Sequence, residues 1–271
     1  MKKREMRRTH FGGENLKKAN ICKIISSVET AKDIFDFTVE CEEIASCAKA
    51  GQFLHIDCGD AALNLLRRPI SICDAYDDKV RFIFQKKGSG TDALSKKRAG
   101  DMLDILGPLG NGFTILPDKK KPVVIGGGIG VFPLYMLCRQ LKNPTALLGF
   151  RTKELVCMEK EFSSAAKTSI ATDDGSYGFK GYAPQLLEKM LGAGECDIIY
   201  ACGPLPMLRA VKQLAEQFDV KCQLSLEQRM GCGIGACLVC TCETLVGGEH
   251  KNKRVCKDGP VFWSSEVTLD G

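Results

Sequence analysis

Four cysteines near the C-terminus carry the strongest chemical signal in the chain. Cys232, Cys237 and Cys240 lie in Gly231-Cys232-Gly233-Ile234-Gly235-Ala236-Cys237-Leu238-Val239-Cys240-Thr241-Cys242, and Cys256 follows in Arg254-Val255-Cys256-Lys257-Asp258-Gly259-Pro260. The spacing is C-x4-C-x2-C-x15-C. The first three cysteines match the plant-type [2Fe–2S] spacing, and the fourth arrives after a hairpin-sized excursion. Such a cluster takes four thiolates, and the glycines among them let the loop bend tightly and turn N–H groups toward sulfide. Structural zinc is the competing chemistry, but it favours paired C-x2-C knuckles, and only one such pair stands here. Plain buried thiols are the third reading. Cys242 is a fifth thiol in the stretch; the pattern is complete without it, so it is expected to be a non-ligand. A one-electron centre needs a donor and an acceptor, and the rest of the chain offers candidates.

Two stretches of the N-terminal half suit a phosphate-bearing cofactor. Leu66-Arg67-Arg68-Pro69-Ile70-Ser71-Ile72 presents an arginine and a hydroxyl beside apolar residues. Arg68 can hold a pyrophosphate and Ser71 can hydrogen-bond a ring edge, although the stretch also reads as an ordinary strand start with an edge proline. In Lys86-Lys87-Gly88-Ser89-Gly90-Thr91-Asp92 the glycines open a short helix whose free N–H groups favour phosphate. Thr91 or Asp92 can equally be a plain N-cap.

Three further turns point to a dinucleotide. Lys121-Pro122-Val123-Val124-Ile125 is a buried-strand pattern, followed by Gly126-Gly127-Gly128-Ile129-Gly130-Val131-Phe132-Pro133 and a helical run over 134–141. Strand, glycine turn and helix form the context that a nucleotide loop requires, here with Pro133 in place of a third glycine. A later strand, 196–201, ends at Cys202-Gly203-Pro204, and Thr172-Asp173-Asp174-Gly175-Ser176-Tyr177-Gly178 ends another. Ligands of open parallel sheets bind at the carboxyl ends of strands, where all three turns fall. About twenty residues after Gly130 the strand closes on Phe150-Arg151. No acid stands there for a ribose 2′-hydroxyl, so these residues do not choose between NAD and NADP.

The elements that must position these groups follow from local patterning. Residues 20–28, 34–39, 52–57 and 79–85 are short β-branched or aromatic runs broken by polar turns, as in an antiparallel barrel. From 117 to 220, strands at 122–125, 145–150, 169–172 and 196–201 alternate with helical runs at 134–141, 154–162 and 208–218. Strands over 261–263 and 267–269 are expected to close the cysteine segment. The expected fold combines α+β and α/β parts: an N-terminal antiparallel β-barrel (20–116), a parallel-sheet nucleotide-binding domain (117–220) and a small C-terminal cysteine-loop domain (221–271), behind a basic tail (1–19).

Composition narrows the class. Residues 1–19 hold seven Lys/Arg against two Glu, which accounts for the whole net charge of +5. The body is formally neutral, so no nucleic-acid-binding face is expected. Fifteen cysteines, an odd number, in a long chain whose first nineteen residues lack an apolar run fit reduced thiols in the cytoplasm. No membrane span is expected: the longest uncharged stretch, Pro122 to Cys138, is short and interrupted by glycine and proline. His10, His55 and His250 form no metal or triad pattern.

In this order, Arg-Pro-Ile-Ser, Gly-x-Gly-x-x-Pro, Cys-Gly-Pro and a four-cysteine loop resemble the ferredoxin-NADP reductase superfamily. Over residues 20–271 the chain most resembles the electron-transfer subunits of type B dihydroorotate dehydrogenases, above all through residues 172–178, 226–237 and 255–262. That resemblance implies an FAD-binding barrel, with FAD held by Arg68, Pro69, Ile70, Ser71, Ile83, Phe84, Gln85, Gly90 and Thr91. It implies NAD at Gly128, Gly130, Cys202, Gly203 and Pro204, and one [2Fe–2S] cluster on Cys232, Cys237, Cys240 and Cys256. It also implies a heterotetramer of two such chains with two FMN-containing catalytic subunits that oxidise dihydroorotate in pyrimidine synthesis. Electrons would then pass from that FMN through the cluster and FAD to NAD⁺. Ile70 stands where many reductases carry tyrosine. The same parts also suit a reductase subunit of another NAD(P)H/ferredoxin, sulfur-metabolism or oxygenase system. A non-redox, zinc-bearing nucleotide-binding module is the alternative of a different class.

Overall fold

The structure, a computed structural model, describes residues 19–59 and 64–269; residues 1–18 of the basic tail, with His10, lie outside them. Six strands close the barrel: β1 (Ala19–Ala31), β2 (Ile34–Glu40), β3 (Phe53–Ile56), β4 (Arg68–Tyr76), β5 (Lys79–Gln85) and β6 (Met102–Leu109). They run in the order β1-β2-β5-β4-β3-β6, each antiparallel to its neighbours. Alternation fills the interior, with Cys22 and Ile24 of β1, Leu54 and Ile56 of β3, and Leu103 and Ile105 of β6 all buried. Phe35 and Phe84 stack at 5.6 Å, and Phe37 meets Phe84 edge-on at 5.3 Å.

Two barrel strands go beyond the sequence pattern. β4 starts at Arg68, as the strand-start reading of Pro69 has it, and runs on to Tyr76. β6 contains Gly107-Pro108, which reads as a turn, yet the barrel cannot close without it. The register shift between β3 and β6 falls at that dipeptide, where a missing N–H is tolerated.

The second unit is a seven-stranded sheet. Its strands are β7 (Pro122–Gly127), β8 (Thr145–Phe150), β9 (Lys167–Thr172), β10 (Phe179–Lys180), β11 (Ile198–Cys202), β12 (Lys221–Ser225) and, beyond a hairpin of β13 (Thr241–Val246) and β14 (Glu249–Arg254), β15 (Val261–Trp263). The order is β10-β9-β8-β7-β11-β12-β15, parallel except for β15. The expected division at 220 falls just ahead of β12, which hydrogen-bonds along the whole of β11. Residues 267–269 form no strand; Val267 makes a single bridge to Thr244.

Among the described residues, six α-helices accompany the strands: α1 (Glu42–Ala45), α2 (Ser89–Ser95), α3 (Tyr135–Gln140), α4 (Glu159–Ala165), α5 (Ala183–Gly192) and α6 (Leu205–Gln217). A 3₁₀ segment over Gly128–Leu134 precedes α3. Another, Lys153–Leu155, and Met158 at φ +57° delay α4 relative to the sequence pattern. Barrel and sheet are tied by specific groups. Arg139 of α3 donates to the buried Asp74 of β4. Gln223 of β12 both donates to the Thr114 carbonyl (2.7 Å) and accepts from its N–H (2.8 Å).

Candidate functional site

The sheet order reverses between β7 and β11. From β7 the chain steps outward through β8, β9 and β10, then crosses back to β11 and β12. That reversal is the topological switch point at which open α/β sheets open a crevice for ligands. Both expected nucleotide turns flank it. A Cβ on Gly130 would lie 2.5 Å from the Cys202 carbonyl oxygen and 2.6 Å from Gly203 Cα. Only glycine permits that approach, so the two turns form one wall. The third turn stands apart, at β9. There Thr172 Oγ1 donates to the Tyr177 carbonyl (2.7 Å) and accepts its N–H (3.0 Å), closing the loop on itself.

Between the switch point and the barrel lies a cleft of about 880 Å³, counting its open mouth. From the barrel, Pro69, Ile70 and Ser71 of β4 and Ile83, Phe84 and Gln85 of β5 line it. From the sheet come Cys202 and, beside Gly128 and Gly130, the side chains of Ile129, Phe132 and Pro133. Segments more than forty residues apart in sequence thus face each other.

Arg68 and Gly90 meet at the α2 turn, where the Arg68 guanidinium covers the Gly90 Cα. Arg68 also donates to the Leu66 carbonyl and reaches Asn64 Oδ1 at 3.5 Å. Thr91 is differently employed. Its hydroxyl accepts the N–H groups of Lys87 (2.9 Å) and Gly88 (3.1 Å), capping α2, while Asp92 pairs with Lys96 at 2.7 Å. Of the plain-cap alternatives, Thr91 is the one that caps, from the third helical position.

Sequence reasoning did not single out Phe53 or Glu227 of the cleft. Phe53 reads as one more apolar strand residue. Glu227, just past β12, entered only within the run 226–237 that carries the resemblance, with no role attached to it. Its carboxyl keeps solvent contact, yet desolvation pushes its pKa up, partly opposed by the Lys87 charge.

The cysteine loop lies against the same barrel, with its sulfurs in two pairs. Cys232 Sγ accepts the Ala236 N–H at 3.2 Å and the Cys237 N–H at 3.4 Å, while the Cys232 N–H donates to Cys237 Sγ at 3.4 Å. Cys240 Sγ accepts the Cys256 N–H at 3.4 Å. Burial raises the Cys232 thiol pKa, but the N–H groups of Ile234, Cys237 and Ala236 outweigh it and bring it down to about 6. Burial, followed by the neighbouring Cys240, pushes Cys256 up to about 12. Cys242 sits on β13 opposite Lys253, pushed up to about 11 by burial and the Cys240 charge.

The two cysteine-bearing segments are strapped together. Arg254 Nη1 donates to the Gly235 carbonyl at 3.0 Å. The Asn111 N–H, just beyond the barrel, donates to the Gly259 carbonyl at 2.6 Å. His55 of β3 lies buried beneath the loop; burial, then the Arg67 charge, takes its imidazole down to about 4 and leaves it neutral.

Comparison with known proteins gives this arrangement a family. Residues 227–268 match the iron–sulfur cluster binding domain of dihydroorotate dehydrogenase B. The electron transfer subunit of dihydroorotate dehydrogenase B (NAD(+)) from Geobacillus sp. (strain WCH70) is 44% identical over 247 residues, covering 88% of this chain and 94% of that protein. The chain belongs to the dihydroorotate dehydrogenase B electron transfer subunits. The corresponding subunit of Caldanaerobacter subterraneus is 38% identical over 90% of the chain and 96% of its own length.

Among solved structures, an NADH-dependent reduced ferredoxin-NADP oxidoreductase superposes with a TM-score of 0.81 at 30% identity, covering 96% of this chain and 92% of that one. A ferredoxin NADP⁺ reductase from Neisseria gonorrhoeae shares the fold at a TM-score of 0.62 and 17% identity, over 74% of this chain and 92% of that one. As an electron transfer subunit of this family, the chain is an oxidoreductase component of pyrimidine biosynthesis. Among the described residues, no helix is long and apolar enough to cross a membrane.

Proposed function

We propose that this subunit carries FAD in the barrel cleft, NAD at the switch point and one [2Fe–2S] cluster on Cys232, Cys237, Cys240 and Cys256. The observation that carries the reading is the convergence of three separately encoded groups. The Arg68–Ser71 strand, the Gly128–Gly130/Cys202–Pro204 wall and the cysteine loop all adjoin one side of the barrel.

The donor sets fit the groups. An apolar floor of Ile83 and Phe84, with Ser71 and Gln85 as polar edges, suits a flavin ring. Arg68 and the Gly90 turn supply positive charge and close backbone approach for a pyrophosphate. Pairing of Cys232 with Cys237 and of Cys240 with Cys256 suits two irons with two thiolates each better than one tetrahedral zinc. When bound, FAD supplies the conversion between hydride transfer with NAD and one-electron exchange with the cluster. For this, the residues need only orient and shield: Ser71 and Gln85 fix the ring edge, Ile83 and Phe84 exclude water, and the Gly130 wall admits the nicotinamide.

The division of labour is a flavin barrel over 20–116, an NAD unit over 117–220 and a cluster unit over 221–271. The substrate chemistry belongs to an FMN-containing catalytic subunit, joined as two plus two. Around the exposed Cys237, Ile234 is 50%, Leu238 61% and Val239 56% exposed. That apolar collar is the face through which the cluster meets the partner.

The purified complex should contain flavin together with two irons and two sulfides per copy of this chain, and tagged subunit should co-purify with an FMN-bearing dihydroorotate dehydrogenase. A colourless, zinc-containing preparation, or consistent capture of a different oxidoreductase, overturns the reading.

A further inference from the structure

Both cysteine-bearing segments run out of the wall of the cleft. Met230 stands two residues before Cys232 and Pro260 four residues after Cys256, and both line the cleft. The Leu226 N–H, also at the cleft, donates to the Pro260 carbonyl at 2.9 Å, so the two segments start from one place. The separation between a centre on the cysteines and a flavin in the cleft therefore depends on how these segments are held against the barrel.

The turn that follows β6 holds one of them. Gln52, buried just ahead of β3, donates through Nε2 to the Gly110 carbonyl at 2.7 Å, and its Oε1 accepts the Lys49 N–H at 2.8 Å. Gly110 has φ +73°. A Cβ there would lie 2.5 Å from Pro260 Cδ, 2.7 Å from the Gly259 carbonyl oxygen and 3.1 Å from Phe53 Cε1. Only glycine fits this turn, wedged between Phe53 of the cleft and the segment that leaves Cys256.

Asn111 then crosses to that segment. Its N–H donates to the Gly259 carbonyl at 2.6 Å, and its Nδ2 donates to the carbonyls of Lys257 at 3.2 Å and Asp258 at 3.1 Å. The side-chain amide has two N–H donors, and both meet an acceptor. Lys257, Asp258 and Gly259 directly follow Cys256. Arg254 joins the cysteine segments to each other; Asn111 ties the Cys256 turn to the barrel that lines the cleft.

We propose that Asn111 is a positioning residue for electron transfer between the iron–sulfur centre and the flavin, its amide holding the Cys256 turn at a fixed separation from the cleft. The inference rests on the cluster and flavin reading above. In this transfer one electron leaves one centre and enters the other, and no bond forms or breaks. The protein's part is orientation and spacing, which a tether supplies without touching either centre.

The test uses the intact complex with wild-type, Asn111→Ala, Asn111→Asp and Asn111→Gln subunits. Alanine removes both Nδ2 bonds, aspartate keeps the size but turns a carboxylate toward the two carbonyls, and glutamine keeps an amide donor. In stopped flow, NADH delivers a hydride to the flavin without involving the cluster, so flavin bleaching should keep its wild-type rate in every variant. The following one-electron reduction of the cluster should slow several-fold in Asn111→Ala and Asn111→Asp, and Asn111→Gln should be faster than either. Electron paramagnetic resonance gives a readout apart from turnover: the dipolar coupling between the reduced cluster and the one-electron-reduced flavin should change in Asn111→Ala and Asn111→Asp, while iron content and cluster midpoint stay at the wild-type values.

Wild-type cluster reduction and wild-type coupling in Asn111→Ala overturn the proposal. So does an equal slowing of the flavin step, or loss of iron, either of which makes Asn111 a general structural residue. If Asn111→Ala does not fold, Asn111→Asp, which retains the N–H bond to Gly259, decides by the same measurements. A wild-type complex without iron or without flavin marks failure of the cofactor reading itself.

Discussion

Arg254 donates through Nε and Nη2 to the two carboxylate oxygens of Asp258, at 3.0 and 3.2 Å, while its Nη1 holds the Gly235 carbonyl. One side chain thus fixes the turn around Cys256 and joins it to the loop around Cys232. Arg254→Met removes both contacts and should therefore weaken cluster retention. Iron and sulfide per chain after gel filtration should fall well below the wild-type ratio. Full retention would mean that the strap does not hold the centre together.

The paired sulfurs give opposite expectations for neighbouring thiols. Cys240 shares its sulfur environment with Cys256, whereas Cys242 stands two residues on, in the β13–β14 hairpin. Cys240→Ser should abolish the visible cluster absorption. Cys242→Ser should leave it intact. The reverse result would exchange their roles.

Gly130 and Cys202 test the switch-point wall. A methyl group on Gly130 would press on the Cys202 carbonyl and Gly203 Cα, backbone atoms that cannot rotate away. Gly130→Ala should cost about 1–3 kcal/mol of stability, as overpacking does. It should also raise the NADH concentration needed for half-maximal flavin reduction. Thermal unfolding and stopped-flow flavin bleaching read the two effects separately; normal NADH dependence would exclude this wall from the nucleotide site.

The two candidate FAD contacts near α2 should behave unlike each other. Arg68→Ala removes the cation over Gly90 and should weaken FAD retention by about ten- to a hundredfold, measured by flavin release on dilution. Thr91 spends its hydroxyl on the N–H groups of Lys87 and Gly88. Thr91→Ala should therefore cost about 1 kcal/mol through the lost cap, with FAD affinity changing less than in Arg68→Ala. Thr91→Ser should restore the stability.

Much of the site is readable from local sequence because the groups concerned are local. The first three cysteines, the glycine turn after β7 and the Arg-Pro-Ile-Ser run each lie within a dozen residues and carry their own turn chemistry. Other parts have no local signature. β6 contains a Gly-Pro pair that reads as a turn, and its strand character comes from two flanking strands that need a partner to close the barrel. The two-residue β10 is too short to show a pattern, whereas α5 carries a helical one, with Ala183, Leu187 and Leu191 buried four residues apart and Pro in its first turn, that the reading passed over. β12 sits next to the cysteine segment in sequence but belongs to the sheet, because its hydrogen bonds go to β11.

The sequence by itself determined which chemistry the chain can carry: four thiolates at cluster spacing, a basic and hydroxylic strand for a flavin, and glycine turns for a dinucleotide. These are fixed by residue type and short spacing. Only the tertiary structure decided how they meet. It set Gly130 against Cys202, joined the Cys232 loop to the Cys256 turn through Arg254, and buried His55 beneath Gly233. Those relationships depend on contacts between residues up to nearly two hundred positions apart. Such contacts follow from barrel closure and sheet order, which no short stretch of sequence encodes.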